Sequence, residues 1–375
     1  MYNILHISVK LICKGKGGIH KMKTIKKYLN RIFIEGLSGM ALGLFATLII
    51  GTILEQISKM IPGAIGDYLY VISRFACVIT GAGIGVGVAY KFKESPLVVI
   101  SSATAGMVGA FASKIIAGDI LADKTLSMLS PGEPLGAFVA AYVAIEVGHL
   151  VSGKTKIDII VTPFTSILAG STVGLILGPP ISDMMKSLGS LINWGTEQQP
   201  FVMGIVVSVL MGMILTLPIS SAALSISLQL TGIAAGAATV GCCANMIGFA
   251  VASYRENKMG GFFAQGIGTS MLQVPNIVRK PVIWLPAIIS SAILGPVSTM
   301  LLHMTNNPSG GGMGTSGLVG QINTYIDMTV NESGAVVIIK ILVLHFILPG
   351  IIALGCSEFM RKKGIIKEND MKLEL

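Results

Sequence analysis

Long apolar segments, separated by short polar turns, follow one another along almost the whole chain. They lie at residues 37–57, 135–151, 158–178, 201–218, 281–304 and 335–360, and a further one ends near residue 254. A helix needs about 20 apolar residues to cross the hydrocarbon core of a bilayer. Only helices and closed barrels satisfy their backbone hydrogen bonds there. The segments therefore predict an all-α polytopic membrane protein with about eight to ten transmembrane helices.

The composition excludes an ordinary soluble domain. Of the 375 residues, 52% are hydrophobic and 12% are charged, whereas about 25% of a soluble protein is charged. The 46 glycines also fit a membrane protein, because small residues let transmembrane helices approach each other closely.

Most of the formal net charge of +9 is concentrated at the two ends of the chain. By the positive-inside rule, we interpret residues 1–35 and 361–375 as basic cytoplasmic segments. Because juxtamembrane lysines also interact with anionic lipid, this charge does not indicate a nucleic-acid partner. Within the first segment, Met22-Lys23-Thr24 has the character of a natural start, so we expect residues 1–21 to be an upstream extension.

The membrane region divides into two halves that resemble each other, residues 36–200 and 201–360. The glycine spacing of residues 43–54 recurs in residues 204–215. Internal repeats are typical of transporters, which place the substrate where the repeats meet and where helices break. We therefore predict two membrane repeats, inverted or parallel.

Three places in the sequence predict broken helices. Pro179-Pro180 is followed by a polar stretch at 182–200, and Pro218 is followed by several serines. Proline removes a helical hydrogen bond and clashes with the preceding turn. Residues 260–272 form an apolar segment too short to cross at 1.5 Å per residue, which predicts a re-entrant segment.

Residues 306–321 form a glycine-rich loop between the last two apolar segments. Glycine at this density disfavours a stable helix or strand. In a membrane protein such backbone is tolerated where protein buries it or where it lines a cavity. We expect a packed, re-entrant, solute-facing loop, and a flexible linker outside the membrane is the alternative.

Glu146 and His149 are ionisable residues within an apolar segment, which makes them functional candidates. They lie three residues apart, on one face of a helix. One interpretation is a solute ligand or a proton-transfer pair, and the other is a structural ion pair with Lys154 and Lys156 nearby. A Glu-x-x-His pair also occurs in di-iron bundles, but these need a second copy and further carboxylates, so no metal site is predicted.

Uncharged polar groups near the helix breaks are the second set of candidates for binding a solute. They are Ser220, Ser221, Asn306, Asn307, Gly312, Gly314, Thr315, Ser316 and Gln321. This mixture suits a neutral, hydroxyl-rich solute, although each residue taken singly also fits hydrogen bonding between helices. No CxxC motif occurs, and no cofactor is predicted.

Four stretches, residues 35–47, 153–158, 217–223 and 306–321, carry a family resemblance. Together they resemble the type 2 family of sugar transporter subunit IIC of the phosphotransferase system, which includes perfringolysin-regulator-like membrane proteins of Gram-positive bacteria. The resemblance covers roughly residues 22–365.

The resemblance implies a homodimeric, multi-pass permease of the bacterial cytoplasmic membrane that takes up a sugar while partner proteins phosphorylate it. No IIA- or IIB-type domain is recognisable in this sequence, so the phosphoryl donors are expected on separate chains. Whether the chain is a component of a sugar phosphotransferase stays open. The Gly-Ile-Thr-Glu loop whose glutamate contacts sugar in glucose-type IIC proteins is absent, and we hypothesise that Glu146 supplies that carboxylate.

Three functions remain open at this point. The first is a permease that moves a neutral, sugar-like solute by alternating access, with or without phosphorylation. The second is a membrane-embedded ligand sensor that regulates a partner. The third is a proton-coupled secondary transporter of an organic solute, using Glu146 and His149.

Overall fold

The structure is a computed structural model that describes residues 30–122, 125–126 and 132–373. The predictions for residues 1–21, and for nearly all of the basic segment 1–35, fall outside the described residues. The described chain is almost entirely helical, which confirms the predicted all-α class.

The described residues of the first half form seven helices and one short antiparallel strand pair. The helices are α1 (Arg31–Met60), α2 (Ala64–Val78), α3 (Thr80–Lys91), α4 (Pro96–Ala110), α5 (Ala112–Ala117), α6 (Pro134–Val151) and α7 (Asp158–Thr196). The strands are β1 (Leu121–Ala122) and β2 (Thr125–Leu126).

The second half is described as nine further helices. They are α8 (Pro200–Thr216), α9 (Ser221–Ser227), α10 (Gly232–Ala252), α11 (Tyr254–Phe263), α12 (Val274–Arg279), α13 (Pro281–Leu301), α14 (Pro308–Gly311), α15 (Val319–Met328) and α16 (Gly334–Lys362). Between α11 and α12 the chain forms a π-turn, Ala264–Gly268, and a 3-10 turn, Ser270–Gln273.

Six helices of the described chain are long and apolar enough to cross a membrane: α1, the Asp158–Ile181 part of α7, and all of α6, α10, α13 and α16. The pair α2 and α3, bent by 54°, makes a seventh when it is counted as one span. The predicted eight to ten crossings are reached only when the shorter apolar helices α4 and α8 are counted as well. The polytopic helical membrane class is confirmed.

One predicted break is absent, because α7 continues through Pro179 and Pro180 and includes most of the stretch 182–200. Prolines are tolerated inside membrane helices where neighbouring side chains satisfy the affected backbone. At this place the hydroxyl of Ser113 donates a 3.0 Å hydrogen bond to the carbonyl of Gly178, so the proline-containing turn contacts α5.

Glycine allows direct contact between helix backbones in both halves. A Cβ atom at Gly43 would lie 2.1 Å from the carbonyl oxygen of Gly83, and one at Gly212 would lie 2.5 Å from that of Gly241. Gly204, which the repeat matches to Gly43, contacts Gly295 of α13. The matched positions thus have differently placed neighbours, and the internal repeat stays a prediction.

Helix α1 is one of the elements at which the two halves meet. Leu37 and Met40 share a hydrophobic core with Val274 at the start of α12. Further along α1, Phe45 lies against Gly268 and Ile53 lies against Gly317 of the glycine loop. Because one helix of the first half contacts two irregular segments of the second, any movement between the halves alters these contacts.

Candidate functional site

The glycine loop, residues 306–321, is packed into the interior of the second half, as the sequence predicted. Asn306 is fully buried, and its Nδ2 atom lies 2.7 Å from the hydroxyl of Thr239 and 2.9 Å from that of Thr324. Nδ2 also lies 3.1 Å from the carbonyl oxygen of Gly320. Asn306 therefore joins the two ends of the loop to the middle of α10.

Asn307 begins the short helix α14 of the loop. Its Oδ1 atom accepts hydrogen bonds from the backbone N–H groups of Ser309 and Gly310, at 3.0 and 3.1 Å. Its Nδ2 atom donates to Asn323 at 3.0 Å. This is the usual arrangement of an N-terminal capping residue.

Gly312 and Gly314 allow the loop to touch neighbouring backbone. The hydroxyl of Ser221 donates a 2.6 Å hydrogen bond to the carbonyl of Gly312, and a Cβ atom at Gly312 would lie 2.3 Å from the carbonyl oxygen of Ser221. Gly314 has φ of +53°, and a Cβ there would lie 2.7 Å from that of Cys242. Glycine is required at both places, at the first for close approach and at the second also for backbone conformation.

The last part of the loop carries buried polar side chains. The hydroxyl of Thr315 donates to the carbonyl of Gly266, and Gln321 contacts the Nδ1 atom of His345 at 3.2 Å. Among the described residues, the Ser316 hydroxyl and the Oε1 atom of Gln321 are buried without a hydrogen-bond partner. Buried polar atoms are usually paired, so these two atoms are available to a bound group.

Glu146 and His149 lie apart from the glycine loop, in an ion-pair network at the end of α6. Arg31 donates to Glu146 at 2.9 Å and to Glu94 at 3.1 Å, and His149 contacts the second oxygen of Glu94 at 2.9 Å. The guanidinium also lies 4.2 Å from the centre of the Phe92 ring. Glu146 and His149 are therefore linked through Arg31 and Glu94. Their ion-pair partners are these residues, which are distant in sequence, and not the nearby Lys154 and Lys156.

Sequence reasoning missed Glu133, the residue directly before α6. It is half-buried, and its carboxylate faces the backbone of Leu135 and that of Ser220, which lies in the helix break of the second half. Among the described residues its Oε1 atom is buried without a partner. Burial raises the pKa of Glu133 to about 7, while the two backbone groups lower it in part.

A sequence signal for Glu133 did exist. It precedes Pro134, which opens an apolar helix, and a carboxylate before the first turn of a helix can satisfy unpaired backbone N–H groups. The link to Ser220 had no local signal, because the two residues belong to different halves.

A cleft between the halves lies next to this contact. Its walls are mainly apolar and come from α1, from the helix break and from the segment before α12: Leu37, Met40, Ala41, Leu44, Pro218, Met271 and Val274. Pro218 is two residues from Ser220, so the Glu133 contact and the cleft share one irregular segment. Within the described part of the chain, no three His, Cys, Asp or Glu side chains are grouped so that they could hold a metal ion.

Taken together, the helices, the buried glycine loop and the cleft between halves define a polytopic membrane protein of the transporter class. The family model for "Phosphotransferase system, EIIC" matches residues 34–373, and the chain belongs to this family. The match confirms the resemblance found in the sequence and supports a permease of the phosphotransferase system in general. No curated protein matches the chain.

Proposed function

We propose that the chain is a permease that moves a neutral, sugar-like solute across the membrane by alternating access of its two halves. The observation that carries the proposal is the cleft lined from both halves, beside which the backbone of Ser220, in the second half, faces the carboxylate of Glu133, in the first. Transporters bind their substrates where halves meet and helices are broken. Family membership supports the same general function.

The chemistry of this contact suits a solute rich in hydroxyl groups. A carboxyl group accepts hydrogen bonds from hydroxyls, and when protonated it also donates one. The cleft beside it has mainly apolar walls, and binding sites combine such walls with a few polar groups. Its volume is only about 10 Å³, so we propose that the halves move apart to admit a sugar ring. Glu133 is thus a better placed carboxylate than Glu146, whose Oε1 atom is bonded to Arg31.

The proposal divides the sequence candidates by their contacts. Ser220, Ser221, Ser316 and Gln321 stay proposed solute ligands, since they lie at the break or carry buried polar atoms available to a ligand. The remaining loop candidates are proposed to shape the loop: Asn306, Asn307, Gly312, Gly314 and Thr315. Glu146 and His149 are proposed to tie α6 to α1 and to the turn that carries Glu94.

Phosphorylation of the solute is proposed to come from separate IIA- and IIB-type proteins, acting at the end of the molecule where Arg31 lies. Arg31 contacts Glu94 in the turn between α3 and α4, and α12 packs on the same first turn of α1. A homodimer in the bacterial cytoplasmic membrane, with both chain ends on the cytoplasmic side, completes the proposal. The positive-inside rule supports this orientation.

The test is solute binding to the purified chain, measured as a shift in melting temperature across sugars, sugar phosphates and organic acids. A ligand at 100 times its dissociation constant stabilises the folded state by about 2.7 kcal/mol. We expect a sugar to raise the melting temperature, Glu133→Gln to abolish the shift, and Glu146→Gln to preserve it. The melting temperature of each variant without solute reports whether it is folded.

The other outcomes separate the competing functions. Loss of the shift in Glu146→Gln alone would move the site to the end of α6. An organic-acid ligand whose binding follows pH would support proton-coupled transport instead. A folded protein that binds no member of the panel would contradict the permease and favour a sensor that acts through a protein partner.

A further inference from the structure

The end of the chain, predicted as a basic tail, folds back onto the second half after α16. The reversal begins at Gly364, which has φ of +70°, and the N–H of Ile365 donates to the carbonyl of Met360 at 2.9 Å. In the returning segment, residues 365–373, the side chains of Ile366 and Met371 are buried in a core that includes Trp284. We call residues 365–373 the tail segment.

Three carboxamide side chains hold the backbone of the tail segment. Each belongs to α11, to α12 or to the turn between them, and together they contact three successive residues of the tail. The hydrogen bonds are Asn257 to the carbonyl of Met371 at 2.8 Å, Gln273 to the same carbonyl at 2.9 Å, Asn276 to the carbonyl of Lys372 at 2.9 Å, and the N–H of Leu373 to Asn257 at 2.8 Å. The tail is therefore bound mainly through its main chain.

One ion pair fastens the tail segment at the far end of α12. The Nζ atom of Lys280 lies 2.5 Å from the Oδ2 atom of Asp370, and both side chains are partly exposed. The apolar anchors are the side chains of Ile366 and Met371, and the other contacts described above are hydrogen bonds. Such contacts are individually worth little in net free energy, which makes the segment suited to release as well as to docking.

The hydrogen bonds of these carboxamides extend into residues 264–279, which comprise α12 and the two turns before it. We call residues 264–279 the re-entrant segment. Gln273 donates to Gln265 at 2.8 Å, Asn276 donates to Gln273 at 2.9 Å, and Gln265 donates to Ser253 at 2.9 Å. Every one of these side chains is buried. A continuous chain of hydrogen bonds therefore joins the tail segment to the re-entrant segment.

The re-entrant segment is also the part of the second half that packs on α1. Val274 shares the core of Leu37 and Met40, and Met271 lines the cleft. The tail segment thus supports, from outside, the backbone that forms one wall between the halves.

We infer that the tail segment is a releasable latch, which when docked holds the re-entrant segment against α1 and when released frees it to move. Two sets of contacts hold the docked latch: the ion pair of Asp370 with Lys280, and the hydrogen bonds of the three carboxamides with the main chain of residues 371–373. This device acts on the conformation of the chain and does not depend on the identity of the solute.

The test is hydrogen exchange of the full chain in lipid nanodiscs, followed by mass spectrometry. Asp370→Asn removes the charge that faces Lys280, and Glu368→Gln makes the same charge change at an exposed position of the same segment. In Asp370→Asn we expect exchange to accelerate about tenfold in residues 365–373 and in residues 264–279, as the loss of one charge-assisted hydrogen bond implies. In Asp370→Asn, exchange in α4 is expected to stay at the native rate. In the control variant Glu368→Gln, exchange in both segments is expected to stay at the native rate.

Two results would overturn the latch. Faster exchange in residues 365–373 with unchanged exchange in residues 264–279 would mean that the docked tail segment does not restrain the re-entrant segment. Unchanged exchange in both would mean that the ion pair does not fasten the tail. Lys280→Gln, which removes the same pair from the other side, must give the same pattern as Asp370→Asn.

Discussion

The Nε atom of Arg31 donates a 2.9 Å hydrogen bond to the Oε1 atom of Glu146, and the same guanidinium reaches Glu94 at 3.1 Å. The Glu94 side chain is only 4% exposed, so Arg31 neutralises a nearly buried carboxylate. The start of α1 is thereby fixed to α6 and to the turn between α3 and α4. A buried charge that loses its partner is costly.

Arg31→Ala is expected to lower the free energy of unfolding by about 2 kcal/mol, the order of a hydrogen bond to a charged group that is lost. The measurement is the melting temperature of the purified protein in one detergent at constant ionic strength. Lys59→Ala is the control, because Lys59 pairs with Glu55 in a more exposed pair on the same helix and such pairs contribute about 0–1 kcal/mol. Equal effects of the two substitutions would argue against the network.

Gly43→Ala is expected to destabilise the protein by about 1–3 kcal/mol, because the added methyl group has no room. Its Cβ would lie 2.1 Å from the carbonyl oxygen of Gly83, in the backbone of α3. Gly355→Ala in α16 is the matched control, since nothing lies within 4 Å of its Cβ position and alanine favours a helix. Thermal melting of both variants decides the point, and a tolerated Gly43→Ala would contradict the close contact of α1 with α3.

Asn306→Asp is expected to cost about 2 kcal/mol or more, because it removes a donor and points a carboxylate at acceptors. Its Nδ2 atom faces the carbonyl of Gly320 and the hydroxyls of Thr239 and Thr324. Denaturation monitored by intrinsic fluorescence measures the loss.

Asn307→Asp is the control for that prediction. Asn307 accepts two backbone hydrogen bonds as a helix cap, and aspartate caps a helix about as well as asparagine. We expect it to cost much less than Asn306→Asp. The opposite ranking would show that the roles of the two asparagines are reversed.

The stability of the protein is expected to fall as the pH rises from about 4.5 to about 7, in part because of Glu133. Burial raises the pKa of Glu133 from 4.5 to about 7, so in this interval the folded state binds more protons than the unfolded state. Stability then decreases with rising pH. Melting temperatures of the native protein and of Glu133→Gln are measured across this pH range. Their difference gives the contribution of Glu133 to the pH dependence, because the other titrating groups are common to both proteins. Parallel pH profiles would refute the assignment.

Several features could be predicted from the sequence because their signals are local. The apolar segments predicted the membrane class, and the glycine density of residues 306–321 predicted a buried loop. Pro218 predicted the break that Ser220 and Ser221 follow. Each of these rests on composition within one short segment.

Other features had no local signal. The helix α7 runs through Pro179-Pro180, next to a hydrogen bond from Ser113 of α5 to the carbonyl of Gly178. Glu146 and His149 are spaced for a direct pair, yet both connect through Arg31 and Glu94 instead.

The sequence by itself determined that this chain spans a membrane with helices and carries a buried glycine-rich loop, and its motifs pointed to the family. Hydropathy and glycine content are properties of short continuous segments, so their structural consequences can be predicted from the sequence of each segment. Only the tertiary structure decided which polar groups meet, such as Glu133 with Ser220 and Asp370 with Lys280. The physical reason is that these contacts depend on how distant helices pack, and spacing along the chain does not encode that arrangement.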